Sequence, residues 1–235
     1  MPTLLIDPSN SLSESHSARS RSFYLTRGLV VIVIVCLLAI LWRKKFHYEY
    51  FPKRWAVVYE GELYRSGQLS GALVERTLGD HQIDVVIDFT GEEPGNLDQQ
   101  AEIAACHKLH IEHHRFPLKG DGTGDIETYA AAVHSVEEAV RNHKRVLVHC
   151  AAGIHRTGGV LAMYKLHVRN ESPESISSGL QEFGFWDQAV NDKLIPFLNQ
   201  NRQEMALKLS QTGSPALDPE EVPLLGAQTE SDSTP

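Results

Sequence analysis

The sequence predicts an α/β domain: a central mixed sheet flanked by helices, one loop held between a buried strand and a helix, and a transmembrane helix ahead of it all. Three observations predict it. From Trp55 onward, short runs of β-formers alternate with stretches of helical periodicity. Val146-Leu147-Val148 is a short apolar run that reads as a buried strand. Gly158 to Val168, just beyond it, is largely apolar and reads as a buried helix.

Residues 1–22 hold seven serines and no aromatic residue, too little apolar surface to order themselves, so they read as a flexible tail. Gly28 to Trp42 is uncharged and strongly apolar, and with Phe23 to Thr26 it reaches about twenty residues, the length that crosses a bilayer if Arg27 snorkels. The span 23–42 is therefore expected to be a single transmembrane anchor. Arg43-Lys44-Lys45 follows with no small-x-small cleavage site, which argues against a cleaved signal peptide. Three basic residues precede the segment (Arg19, Arg21, Arg27) and five follow it (Arg43, Lys44, Lys45, Lys53, Arg54). That bias places the C-terminal domain in the cytoplasm.

Residues 43–54 read as a basic juxtamembrane link and 55–205 as the domain proper. Trp55 to Arg65 predicts two strands around Glu60-Gly61, a hairpin. A helical stretch after Ser70, a strand over Ile83 to Phe89, a helix over Leu97 to Lys108 and a strand over His110 to Phe116 continue the alternation. Asp125 to His143 has apolar positions at helical spacing, from Ile126 and Tyr129 to Val136 and Val140. Helices near Ser175 to Phe183 and Asp187 to Asn201 close the domain. Beyond Ser210, five acidic and no basic residues sit among Pro, Ser and Gly, so 206–235 is expected to be a disordered acidic tail.

Composition limits function. At 235 residues, with 42% hydrophobic and 22% charged, the chain can bury one full core and little more. A net charge of -8 argues against a general affinity for nucleic acid, which needs a basic face over much of the domain, while leaving local phosphate binding open. The three cysteines, Cys36, Cys106 and Cys150, are an odd number at unrelated spacings and support neither a disulfide framework nor a four-cysteine zinc site.

The segment that carries chemistry is Val148-His149-Cys150-Ala151-Ala152-Gly153-Ile154-His155-Arg156-Thr157-Gly158. A strand ends on a cysteine, a tight loop follows, and an arginine and a threonine open a helix. Backbone N–H groups of Ala151, Ala152, Gly153, Ile154, His155 and Arg156 can converge on one centre while the helix N-terminus adds partial positive charge. The result is an anion cradle sized for phosphate. Cys150 in that field should be a thiolate near neutral pH. Arg156 offers a planar fork to two phosphoryl oxygens. Gly153 permits a conformation or close approach that a Cβ would hinder, the Thr157 hydroxyl is placed to reach the sulfur, and His149 is expected to order the loop through backbone hydrogen bonds.

Here the sequence resembles the cysteine-dependent protein tyrosine phosphatase superfamily, whose pattern His-Cys-x-x-Gly-x-x-Arg-Ser/Thr is met by His149, Cys150, Gly153, Arg156 and Thr157. With Tyr64-Arg65-Ser66-Gly67-Gln68, it looks most like the small dual-specificity class, in its compact atypical branch. The resemblance covers about Trp55 to Asn201. It implies hydrolysis of phosphomonoesters through a cysteinyl-phosphate, with no cofactor and no metal. It also implies a general acid on a loop upstream of the cysteine, where Phe116 to Asp125 holds two aspartates. Asp121 lies closer to the family's usual distance and Asp125 sits where a helix N-cap belongs, so Asp121 is the preferred acid.

Several other residues have bland readings. His113 and His114 alternate to opposite faces of a strand, so a metal shared by His110, His113, His114 and Glu112 is disfavoured. Cys106 reads as helix packing rather than a thiol that resolves oxidised Cys150. Phe183, Phe185 and Trp186 read as core, and Asp84 and Asp88 as structural. Competing functions are an inert phosphate-binding scaffold, disfavoured by the complete set of nucleophile, arginine and acid, and a sulfurtransferase, disfavoured by five intervening residues. Uncharged Ala151, Ala152 and Ile154 favour a phosphorylated protein as substrate over inositol phosphates or phosphoinositides, which need several cations. The expected partners are thus a phosphoprotein and, through the anchor, a membrane.

Overall fold

The computed structural model describes residues 27–42, 47–184 and 188–226, with side chains of 188–192 excepted. Residues 27–42 form helix α1, whose side chains are exposed from Leu29 to Trp42. Among the described residues no helix is long and apolar enough to cross a membrane. Of the expected span 23–42, residues 23–26 lie outside the described residues, as does the expected flexible tail over 1–22.

The chain from Tyr48 onward is a compact unit with one five-stranded sheet in the order β1-β2-β5-β3-β4. Strands β1 (Ala56–Tyr59) and β2 (Leu63–Gly67) form the antiparallel hairpin that the sequence predicts, and β3 (Val85–Asp88), β4 (Glu112–Arg115) and β5 (Val146–Cys150) run parallel to β2. The sheet is mixed, as expected. After the short α2 (His47–Tyr50), the helices are α3 (Val74–Asp80), α4 (Leu97–Leu109), α5 (Ile126–Arg141), α6 (His155–His167), α7 (Pro173–Glu182) and α8 (Gln188–Gln211).

Local signals fix the ends. Asn96 caps α4 by accepting from Asp98 and Gln99 N–H, Asp125 caps α5 through Thr128 N–H, and Ser172 with Pro173 opens α7. Strand alternation sorts the core into two clusters. Val85, Ile87, Val146, Val148 and Cys150 face a cluster with α5, α6 and α8, while Val86 and Leu147 face a smaller one with Val74, Leu78, Ala105 and Cys106 of α3 and α4. Because α6 is covered on all sides, nearly every residue from Thr157 to Leu166 is buried.

Two boundaries move. The acidic composition predicts disorder from 206, yet α8 continues to Gln211 with Met205, Ala206 and Leu209 buried, and the segment after it folds back with Val222 and Leu225 buried. Asn199 donates through Nδ2 to Leu225 O at 3.0 Å and accepts from Leu225 N–H at 2.8 Å, and Arg202 Nε donates to Val222 O at 3.0 Å. Two apolar anchors and paired backbone groups are enough to order a segment that average composition assigns to solvent; 227–235 lie outside the described residues. At the other end, Lys53 and Arg54, read as linker, belong to the domain: Lys53 O accepts from Gly67 N–H at 2.7 Å and Arg54 Nη1 donates to Ala152 O at 3.0 Å.

Candidate active site

Strand β5 carries Cys150 to the carboxyl end of the sheet, and α6 starts five residues later at His155. No side chain caps α6, since its N-cap is Ile154, and the positive end of its dipole faces the loop. The intervening carbonyls are tied elsewhere. Ala151 O accepts from Gln68 N–H at 3.3 Å, Ala152 O from Arg54, and Gly153 O from Arg65 Nη2 at 2.7 Å. With carbonyls drawn outward, the N–H side of the loop is the side turned toward the sulfur, where an anion would bind. Gly153 has φ +73, and a Cβ there would lie 2.5 Å from Ser66 O and Gly67 N, so the loop closes against β2 only with glycine. This is the structural use of Arg65-Ser66-Gly67, whose positions the sequence marks and whose contacts it does not.

Cys150 Sγ accepts from Gly153 N–H at 3.2 Å. Burial pushes the Cys150 thiol up, but the Thr157 hydroxyl and N–H, the Arg156 charge and the Gly153 N–H outweigh it, so the thiol sits below its ordinary value. Arg156 Nη1 donates to Phe89 O at 3.3 Å, and its Nε has no partner in the structure. A guanidinium steadied at one end and open at the other is ready for a second anion contact.

The two aspartates separate clearly. Asp125 is exposed and spends its carboxylate on Thr128 N–H and hydroxyl, as an N-cap should. Asp121 is part-buried, with Oδ1 taken by Thr123 N–H at 3.1 Å and hydroxyl at 2.8 Å. Burial raises the Asp121 carboxyl, yet Thr123, then Lys193 and Lys119, bring it below its usual value. Next to it, Gly122 lies against the α6 start: an added Cβ would meet the His155 carbonyl at 3.1 Å. Gly122 O accepts from the buried Tyr129 hydroxyl at 2.7 Å. Burial chiefly, and then Cys150 and Asp121, push the Tyr129 phenol upward, which places the tyrosine within electrostatic reach of both groups.

His149 departs from expectation. Its side chain does not tie the loop backbone; it crosses to the α4 face, where Nε2 meets Glu102 Oε2 at 3.1 Å and Asp88 Oδ1 at 3.9 Å, and Nδ1 has no partner in the structure. Alternation along β5 is the reason, since it sends neighbours Cys150 and His149 to opposite faces. Asp88, Glu102 and His113 bring donor atoms within 4.8 Å of one another. Asp88 already binds Thr90 and the Arg115 guanidinium, and Glu102 binds His113 and His149, so this is an ion-pair network and not a cation site. Nothing in the sequence reveals Glu102, a helix residue of ordinary pattern.

Cys106 lies in the smaller cluster on the far side of the sheet from Cys150, its thiol pushed up to about 12 by burial and by Glu102. It packs, as the sequence suggests. Phe183 stacks on the Arg65 guanidinium at 3.8 Å; Phe185 and Trp186 lie outside the described residues. A cavity of about 260 Å³ lined by Val58, Arg65, Leu161, Ile176 and Phe183 holds neither Cys150 nor Arg156.

Residues 67–210 match the family of the dual specificity phosphatase catalytic domain. This chain belongs to that family. Human cyclin-dependent kinase inhibitor 3 is 27% identical over 105 residues, 44% of this chain and 49% of that protein, so the match spans about half the relative's length. Among solved structures, P. aeruginosa TpbA aligns with a TM-score of 0.52 at 21% identity, covering 64% of this chain and 88% of that one. The core catalytic domain of the S. cerevisiae PP-IP phosphatase SIW14 aligns at 0.53 and 17% identity, covering 70% and 97%. At such identities the structures establish a shared fold.

Proposed function

We propose that the protein is a cysteine-dependent phosphomonoesterase that dephosphorylates proteins. The observation that carries this reading is the loop itself: carbonyls tied outward, and a buried thiol that accepts from Gly153 N–H and is held below its ordinary value. In the first step Cys150 Sγ bonds to phosphorus as the ester oxygen departs, and Asp121 gives that oxygen a proton. Arg156 clamps two non-bridging oxygens throughout. In the second step water attacks phosphorus, Asp121 takes a proton from it, the sulfur–phosphorus bond breaks, and thiolate and inorganic phosphate are released. Asp121 starts ionised, so the charge of the arriving phosphate is what draws a proton onto it. Its Oδ2 is the freer oxygen, with Lys193 at 3.9 Å among the described residues.

Because Ala151, Ala152 and Ile154 are uncharged, Arg156 is the one arginine or lysine within the loop, beside His155 and near Lys119. That favours phosphoprotein over the inositol pyrophosphates named for SIW14. A panel of phosphotyrosine and phosphoserine peptides, inositol phosphates and inositol pyrophosphates on the full chain is the test, with the peptides expected to turn over fastest. Turnover confined to the inositol compounds would overturn the substrate reading, and none on any substrate would favour the inert scaffold.

We also infer that 23–42 anchors the chain in a membrane with the domain on the cytoplasmic side. Residues 28–42 carry no charge, and the exposed apolar side chains of α1 favour hydrocarbon over water. The full chain should resist alkaline extraction from membranes. Its release into the supernatant would refute the anchor.

A further inference from the structure

Two histidines of this domain are fully enclosed, and their surroundings are opposite. His167 has no hydrogen-bond partner at either ring nitrogen in the structure, and burial holds it down to about 4. Burial lowers His149 too, but Glu102 first and then Asp88 reverse that and raise it to about 9. His149 is adjacent in sequence to Cys150. Its ring occupies the α4 side of β5 while the sulfur occupies the other.

Glu102 is the centre of this arrangement. It is 1% exposed, and its Oε1 meets His113 Nε2 at 3.1 Å and His149 Nε2 at 3.2 Å, while Oε2 meets His149 at 3.1 Å. The groups facing His149 are Glu102 from α4, Asp88 from β3 and Cys150 beside it; His113 of β4 reaches Glu102, Arg115 of β4 holds Asp88 at 2.9 Å, and Cys106 lies one turn along α4 from Glu102. A buried carboxylate is retained only when its charge is matched, and here the imidazolium matches it. The same positive charge acts on the sulfur through a medium that screens poorly. Interaction between two titrating groups is mutual: Cys150 raises His149, so protonated His149 favours the thiolate.

We propose that Glu102 is a positioning residue for the phosphatase reaction: with Asp88 it holds a protonated His149 against the back of the phosphate loop, and through that charge keeps Cys150 ionised. The proposal rests on Cys150 as nucleophile. Its primary test needs no turnover, so the two fail separately. Alkylation of Cys150 by iodoacetamide is followed against pH in the full-length protein and in Glu102→Gln, which keeps the shape and removes the charge. The Glu102→Gln curve should move to higher pH, with the rate at pH 6 reduced about tenfold. The acid limb of kcat/KM should move with it. Glu102→Asp, which restores the carboxylate, should recover most of the loss. In a Glu102→Gln/His149→Asn double variant the two changes should not add, because one acts through the other.

A structural role alone would lower the melting temperature and scale activity equally at every pH. A folded Glu102→Gln protein with an unmoved alkylation curve therefore overturns the proposal. If that variant does not fold, the His149 ring can be titrated by NMR in the unmodified protein. A ring still protonated at pH 8 supports the proposal, and one that titrates at or below 6.5 defeats it. If alkylation follows the expected pattern but no phosphomonoester turns over, it is the functional reading that fails.

Discussion

The two faces of β5 at its carboxyl end solve opposite problems. On the α6 side, Cys150 sits among apolar residues and gains stabilisation from N–H groups and Arg156, an arrangement left incomplete until an anion arrives. On the α4 side, His149, Glu102, Asp88, His113 and Arg115 pair their charges with one another, although His149 Nδ1 and Arg115 Nη2 make no hydrogen bond among the described residues. In charge, one face is open and the other is closed. The contrast teaches that a buried charge matched by its neighbours is at rest, while one that waits for an outside partner is poised to bind it.

The largest effect should come from breaking the open face. Cys150→Ser should abolish turnover, by about a thousandfold or more, yet still bind phosphoryl ligands, since the thiolate goes and the N–H groups stay. Appreciable hydrolysis by the pure variant would remove Cys150 from its role. Arg156→Lys keeps the charge but cannot make two parallel bonds, so kcat/KM should fall on the order of a hundredfold.

Next in size are the aspartates beside the open face. Asp121→Asn should slow alkyl phosphates by about a hundredfold or more and activated aryl phosphates far less, because a good leaving group needs little protonation. It should also erase the alkaline limb of the pH profile. Asp125→Asn should leave both activity and stability nearly unchanged, as asparagine caps a helix as well as aspartate. The reverse pattern would transfer the acid to Asp125.

The smallest effects sharpen the closed face through stability. His149 is raised in the folded state to about 9 from 6.5, so its contribution is complete below pH 6.5 and is lost as pH rises through 9. Glu102 is lowered to about 2 from 4.5: burial raises it, and His149 and His113 more than reverse that. Its contribution is present above pH 4.5 and is lost as pH falls through 2. His167, lowered to about 4, runs opposite to His149 and costs stability as pH falls from 6.5. Urea unfolding of the full chain should therefore show a loss of about 2 kcal/mol between pH 7 and 9.5 that disappears in Glu102→Gln. His167→Leu should flatten the acid side alone. A wild-type profile level from pH 7 to 9.5 would mean that His149 is not held charged.

Much of this was legible beforehand because it is local. Strand periods of two, helix periods near 3.6, the Asp125 cap and the spacing from His149 to Thr157 all lie within a few residues of one another. Even the choice between Asp121 and Asp125 could be framed from capping. Glu102, forty-seven residues from His149, carried no such signal. Neither did the 206–226 segment, whose order depends on Asn199 and Arg202 meeting the backbone of Val222 and Leu225.

The sequence by itself determined the α/β alternation, the family and the cradle that ends β5, because short-range backbone geometry and residue chemistry suffice to build them. Only the tertiary structure decided which groups stand behind that cradle. Arg54 and Arg65 reach its carbonyls and Glu102 reaches His149, each across a sequence gap that the pairing of the strands closes. The physical reason is that burial and charge pairing are properties of what surrounds a side chain, and those surroundings exist only once distant segments have packed.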